Sequence, residues 1–208
     1  MCSRGGKCRT DETGAVAQGW DHDPPAQQKA VPLGILVVAS GALSLFFGSG
    51  GSSDFWVDAL QTWWERVGPA WQGVRRLVIY LDNGPDNSGR RTQFLKRMVQ
   101  FADWSGLVIR LVYYPPYHSK YNPIERCWSS LQRKWNGLLL NCWEEILSGA
   151  RRMKWKGAHP VVERLEGNYA NNVRVSAKEM KNWNLRLERS ATLPTYDITI
   201  TPKEPRGR

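Results

Sequence analysis

Arg75–Asn87 reads RRLVIYLDNGPDN and Ile109–Trp135 reads IRLVYYPPYHSKYNPIERCWSSLQRKW, and these two stretches decide the fold. In the first, the apolar run Leu77-Val78-Ile79-Tyr80-Leu81 ends at Asp82, and the turn formers Asn83-Gly84-Pro85 follow at once. This predicts a buried strand with a carboxylate at its C-terminal end, where loops and sites gather in α/β sheets. In the second, the apolar run Val108 to Tyr114 is closed by Pro115-Pro116, and Asn122-Pro123 then introduces Glu125. Proline is tolerated at a helix start and an acid there meets the favourable end of the helix dipole, so Glu125 is expected in a first turn.

That helix can be read residue by residue. At about 100° per residue, Ile124, Trp128, Leu131, Trp135, Leu138 and Leu139 share a stripe, with Arg126, Ser130, Arg133 and Lys134 mostly opposite. Glu125 lies on the boundary, where a packed stripe can hold it rigidly beside the strand ending at Asp82. Two acids brought together repel each other, and a divalent cation with oxygen ligands is the usual remedy.

The pattern LDNGPDNSGRRTQF followed by YYPPYHSKYNPIERCWS resembles the second and third acids of a DDE transposase with an RNase H-like fold. It is most similar to the ISAzo-thirteen family of bacterial insertion-sequence transposases. The family's other landmarks stand here as Ser3-Arg4-Gly5-Gly6-Lys7, Asp21-His22-Asp23, Val31 to Leu36 and Ser53-Asp54-Phe55-Trp56-Val57-Asp58, and the resemblance runs to the C-terminal LPTYDITITP.

The resemblance implies that three acids hold two divalent ions, magnesium or alternatively manganese, which activate water or a DNA 3′ hydroxyl against a phosphodiester at the transposon end. Asp82 matches the second acid and Glu125 the third. Asn83, His118, Asn122 and Pro123 fall in the same motifs as supporting positions. The first acid belongs on the opening strand, before the Ser3–Lys7 landmark, and has no counterpart here. The expectation is therefore an α/β, RNase H-like mixed sheet flanked by helices and lacking its first strand, in a truncated or mis-started copy that is not a complete catalyst alone. The alternative is a non-catalytic DNA-binding remnant. Either reading implies DNA as partner, both transposon ends and target, with self-association on DNA, no small-molecule substrate and a cytoplasmic, nucleoid-associated location.

Composition agrees with these expectations without selecting them. The 208 residues suffice for one sizeable domain, and 29 basic against 19 acidic residues leave a formal charge of +10, which favours a polyanionic partner. Candidate phosphate contacts are Arg90, Arg91, Lys120, Arg126, Arg133, Lys134, Arg151 and Arg152. Lys96 and Arg97 belong to the same basic helix face as Arg90 and Arg91, for which a solvated surface is the other reading. For Arg151-Arg152-Met153-Lys154-Trp155-Lys156 the other reading is a helix end that favours cations. Cys2, Cys8, Cys127 and Cys142 lack zinc-finger spacing and read as reduced thiols, with Cys2, Cys8 and His22 as the alternative metal-ligand set.

Along the chain, residues 1–29 read as a loop segment, with Asp21-His22-Asp23 either lining a site or forming a polar turn. Residues 30–160 read as the catalytic core and 161–208 as a C-terminal extension with a disordered basic tail. The uncharged stretch from Ala30 to Ser53 is long enough to cross a bilayer, but Pro32 and its glycines split it into two strands, Val31–Val38 and Ala42–Phe47. Ser53-Asp54 opens a helix whose Trp56, Leu60, Trp63, Trp64 and Val67 read as core, with Asp54 and Asp58 as capping and solvated acids. A second helix carries Phe94, Leu95, Met98, Val99 and Ala102. More helix is expected after Trp135, and one short alternating strand near the C-terminus.

Overall fold

Leu43–Gly48 is apolar on both faces of its pleat, which demands a neighbour along each edge and a layer against it. A computed structural model supplies both and describes residues 29–115, 118–138 and 140–204. In chain order the elements are β1 (Val31–Leu36), β2 (Leu43–Gly48), α1 (Ser53–Val67), β3 (Arg76–Leu81), α2 (Thr92–Ser105), β4 (Val108–Tyr113), α3 (Ile124–Trp135), α4 (Trp143–Arg151), β5 (Val161–Arg164), α5 (Ala177–Asn184), β6 (Leu187–Arg189) and β7 (Asp197–Ile200). This is the expected mixed α/β architecture, with two mixed sheets flanked by five helices. The chain divides into two compact units, one of Met1–Ser49 with Pro123–Glu166 and one of Gly50–Asn122 with Gly167–Arg208.

The first unit is built on β2. β1 pairs with it antiparallel, Val31 opposite Gly48 and Leu36 opposite Leu43, and β5 pairs with it parallel on the other side. The hairpin turn passes through Gly41 at φ 76°, which glycine adopts without the Cβ penalty. Leu43, Leu45 and Phe47 pack with Cys127 and Leu131 of α3 and Leu147 and Ala150 of α4. Gly34 lets α3 approach β1: a Cβ there would stand 2.9 Å from both Ile124 Cδ1 and Trp128 Cη2. The expected stripe of α3 faces this core, but its deepest residue is Cys127, fully buried, whose thiol is pushed up to about 11 by that burial. The helix does not continue as expected. Gly137 takes φ 81° and α4 starts anew at Trp143, while the Trp135 indole donates to Ile146 O at 3.1 Å and closes the corner.

The second unit is a four-stranded sheet in the order β3-β4-β7-β6. β3 and β4 are parallel and joined through α2; β7 runs antiparallel to β4 and to β6. One sheet face carries Ile109, Leu111, Ile198 and Ile200, all fully buried. α2 contributes Phe94, Leu95, Met98, Val99 and Ala102 to the core, as its spacing predicts. α1 packs on α2 with Phe55, Trp63 and Trp64 buried, and its start is capped by Ser52, whose hydroxyl accepts from Phe55 N at 3.4 Å; such a cap contributes about 1 kcal/mol. Asp54 and Asp58 are not simply solvated. Both grip Arg97, at 2.7 and 2.6 Å, because helix-to-helix packing brings a half-buried cation between them.

β7 and β6 complete this sheet beyond β4, and ion pairs and hydrogen bonds tie the segment to the rest of the unit. Arg186 reaches Asp103 Oδ1 at 2.6 Å, Lys203 N–H donates to the same carboxylate at 2.8 Å, and Arg110 forks onto Asp197 at 2.9 and 2.6 Å. The residues from Pro205 on, read above as a disordered basic end, lie outside the described residues, as do the Ser3–Lys7 and Asp21–Asp23 landmarks and Cys2, Cys8 and His22.

Two of these clamps fix a pH dependence. At Asp103 burial raises the carboxyl, but the hydrogen bonds from Arg186 and from Lys203 N–H outweigh it and hold it below the usual range. At Asp197 the hydrogen bond from Arg110 does the same. A carboxylate with a lower pKa folded than unfolded contributes stability above the unfolded value, about 3.9, and loses it as pH falls through the folded value. Thermal melts across a pH series should therefore show a level melting temperature from about pH 7 to about 5 and a fall below about 4. Arg186→Gln should melt lower at neutral pH with a shallower acid limb. An unchanged acid limb in that variant would contradict the clamp.

Candidate functional site

β3 ends at Leu81 because Asn83-Gly84-Pro85 cannot extend the ladder, and Asp82 is the first residue beyond it, exposed at the C-terminal edge of the sheet. The loop that follows is held from several sides. Asn87 is 2% exposed, and its side-chain amide donates to Asp82 Oδ1 at 3.0 Å. Its backbone oxygen accepts from the Tyr113 hydroxyl at 2.8 Å, and the Ser53 hydroxyl donates to Asp86 O at 2.7 Å. Tyr113 is itself held by burial, which pushes its phenol above the ordinary range. Gly84 keeps the inside of the turn open: a Cβ there would stand 3.0 Å from Asn87 Oδ1 and 3.8 Å from Asp82 Oδ2.

This arrangement leaves oxygen atoms looking for a partner. With its amide nitrogen committed to Asp82, Asn87 has a buried Oδ1 that accepts no hydrogen bond from the described residues. An orphaned buried acceptor costs about 1–3 kcal/mol unless something satisfies it. Asn87 was not among the residues that sequence reasoning selected. Its signal was present as the second asparagine of LDNGPDN, but nothing in the spacing says that residue 87 folds back onto residue 82.

Glu125 lies in the first unit, in the first turn of α3, half-buried, as expected. Pro123 occupies the position that precedes the helix, and Asn122 before it is buried at 8%. Asp82, Asn83 and His118 belong to the second unit, Asn83 and His118 both exposed. His118 stacks on Tyr121 with ring centroids 5.8 Å apart, and the Lys120 ammonium lies 5.1 Å from the centre of the same Tyr121 ring.

Comparison with known families decides between readings that geometry alone leaves open. A family model for the Rhodopirellula transposase DDE domain matches residues 2–202, nearly the whole chain. The chain belongs to that transposase family. No curated protein and no solved structure matches it.

Transposase DDE domains generally use divalent metals, and the donors around Asp82 fit one. A carboxylate with one oxygen fixed by Asn87 and a second oxygen 3.8 Å from the space above Gly84 stands beside an unsatisfied amide oxygen, and hard divalent cations take such oxygen ligands. Among the described residues no three of His, Cys, Asp and Glu gather into a metal cluster.

The basic candidates divide by unit. Arg90 and Arg91 flank the start of α2 in the second unit; Arg90 is exposed, and the Arg91 Nε is buried without a partner among the described residues. Lys120 is exposed on the loop after β4. Lys96 and Arg97, by contrast, are bound within the protein, Lys96 to Glu179 at 2.9 Å, which removes them as free phosphate contacts. In the first unit Arg126, Arg133, Lys134, Arg151 and Arg152 are all exposed. Arg151 and Arg152 also close the C-terminal end of α4, where His159 Nδ1 lies 3.0 Å from Arg151 O.

A cavity of about 340 Å³ in the same unit as Asp82 runs between α1 and α2 and is lined by Asp54, Gln93, Arg97 and Trp104, none of them from the Asp82 loop. Its polar groups already bond to one another. Among the described residues no helix is long and apolar enough to cross a membrane.

Proposed function

We propose that this transposase domain performs metal-dependent cleavage and strand transfer at the ends of an insertion sequence, with Asp82 and Glu125 as carboxylate metal ligands. The observation that carries the reading is the Asp82 loop: a carboxylate at a strand end, oriented by a buried asparagine whose own oxygen is unsatisfied, in a chain of this family. Divalent ions, magnesium in the cell, would there activate water or a 3′ hydroxyl and neutralise charge on the scissile phosphate.

The chain's own residues have separate tasks in this scheme. Asn87 withholds Asp82 Oδ1 from rotation and so aims Oδ2 outward, while its amide oxygen offers a neutral ligand or a hydrogen-bond acceptor for a metal-bound water. Gly84 keeps the approach to both oxygens free of side chain. Glu125, at the start of α3, is held by the packing of Cys127 and Leu131 on β2 rather than by a long flexible tether. Arg90, Arg91 and Lys120 in one unit, and Arg126, Arg133, Lys134, Arg151 and Arg152 in the other, neutralise DNA phosphates, with affinity falling as salt rises. The centre needs a third carboxylate in addition to these two.

A second reading follows from that need. If no third carboxylate joins the site, the protein binds DNA and associates with other transposase copies without cutting. Incubation with a plasmid carrying the element's ends and Mg²⁺ separates the two readings, since cleavage is expected from the first and binding alone from the second.

For a cleavage-competent form, Asp82→Ala and Glu125→Ala should each abolish Mg²⁺-dependent cutting while leaving duplex binding within about threefold, because carboxylates do not hold phosphates. Cutting at the unmodified rate by either variant would sink the assignment. Asn87→Ala should weaken Mn²⁺ binding by about 10- to 100-fold, the usual effect of removing a residue that orients a metal ligand. Titration calorimetry of the protein without DNA reads this directly, and wild-type affinity in Asn87→Ala would remove Asn87 from the site.

A further inference from the structure

The sheet of the second unit has one face packed and one face open, and the open face carries aromatic rings beside Asp82. Among the described residues β3 is an edge strand, hydrogen-bonded to β4 alone. Its residues alternate, with Arg76, Val78 and Tyr80 outward; Val78 is 39% and Tyr80 53% exposed. Tyr80 lies one pleat period before Asp82. On the neighbouring strand the parallel register pairs Leu81 with Tyr113, and Tyr114 N–H then donates to Leu81 O at 2.9 Å. One further step therefore sets Tyr114 opposite Asp82. The Tyr80 and Tyr114 rings meet with centroids 6.2 Å apart and planes inclined by 40°. The loop that leaves Tyr114 then presents Tyr121, 62% exposed, with the Lys120 ammonium against its ring.

Ordinary packing does not account for this pair. A tyrosine inside a core shields its ring, yet Tyr80 leaves half its surface in water between the apolar Ile79 and Leu81. We propose that Tyr80 and Tyr114 form a stacking platform for an unpaired nucleotide at the DNA end, setting the adjoining strand beside Asp82. The occupant is argued from charge and chemistry. The chain carries +10, Arg76 stands exposed on the same strand face, and Lys120 supplies a cation near the next ring. Aromatic faces take any base, whereas a paired base inside a duplex has its faces covered by its neighbours. The platform thus favours frayed or single-stranded ends over blunt ones, and it acts by positioning the strand for the carboxylate. The inference rests on the reading of Asp82 as a DNA-processing site.

Fluorescence anisotropy with two DNA ends of the same sequence, one blunt and one with a short unpaired tail bearing 2-aminopurine, tests it without divalent metal. Wild type should bind the tailed end more tightly and quench the 2-aminopurine. Tyr80→Ala and Tyr114→Ala should weaken tailed-end binding about 5- to 150-fold, the range found when a stacking aromatic is removed, and change blunt-end binding less than about twofold. Tyr80→Phe keeps the ring and should keep both the affinity and the quenching, which separates stacking from a loss of fold. If wild type binds both ends and the alanine variants match it, or lose both ends equally, the platform is overturned while the DNA reading stands. If wild type binds neither end, the reading of Asp82 falls and the platform with it. Sedimentation that shows wild type dimerising through this face, abolished in Tyr80→Ala with tailed-end binding intact, would assign the rings to a second copy of the chain instead.

Discussion

Parallel pairing of β3 with β4 is the constraint on which the second unit depends. A parallel pair ends its two strands at the same edge, so the residues that follow Leu81 and Tyr113 emerge together. Asp82, the Asn87 loop and Tyr114 are neighbours for that reason and not through any local motif. Antiparallel pairing would have sent one of them to the opposite end of the sheet. The loop itself is short of regular structure, and its order comes from a few directed bonds: Asn87 to Asp82, Tyr113 to Asn87 and Ser53 to Asp86. Each bond is made by a residue rooted in a buried element, which is how a polar loop keeps a carboxylate in one orientation.

Charge is distributed with a similar division of labour. Two basic residues that approach buried surface are matched by carboxylates, Arg97 by Asp54 and Asp58 and Arg186 by Asp103. Partly buried pairs of this kind bind secondary structures to one another and are lost in acid as the carboxylates protonate. The remaining Arg and Lys side chains named as phosphate contacts are mostly exposed, and little else in the fold requires them.

Much of this was legible in the sequence because the decisive signals were local. The apolar run before Asp82, the prolines before Glu125 and the helical spacing of α1, α2 and α3 each reported an element within a turn or two of its observed bounds. What escaped were contacts that only the tertiary fold creates. Asp54 and Asp58 look like surface acids until α2 delivers Arg97 from 43 and 39 residues away. β6, at 3 residues, is too short to announce itself and becomes a strand only because β7 offers an edge, whereas the alternation of β7 was legible in the sequence. The break after Trp135 was hidden by apolar residues that continue through Leu140, although Gly137 marks the place. Asn87 and Tyr80 were passed over for a different reason: both are ordinary residues for a turn and a strand, and their significance lies in a neighbour, Asp82.

The central claim is that Asp82 and Glu125 each bind divalent metal. Loading the protein with Fe²⁺ in place of Mg²⁺, in ascorbate and peroxide, generates radicals that cut the backbone beside the bound ion, and mass spectrometry of the fragments locates the cuts. The account predicts cuts both at Leu81–Gly84 and at Pro123–Arg126, the first set lost in Asp82→Asn, the second in Glu125→Gln, and both suppressed by excess Mg²⁺. Cuts at one stretch alone, or at both but unaffected by these substitutions, would contradict the assignment of the two carboxylates as metal ligands.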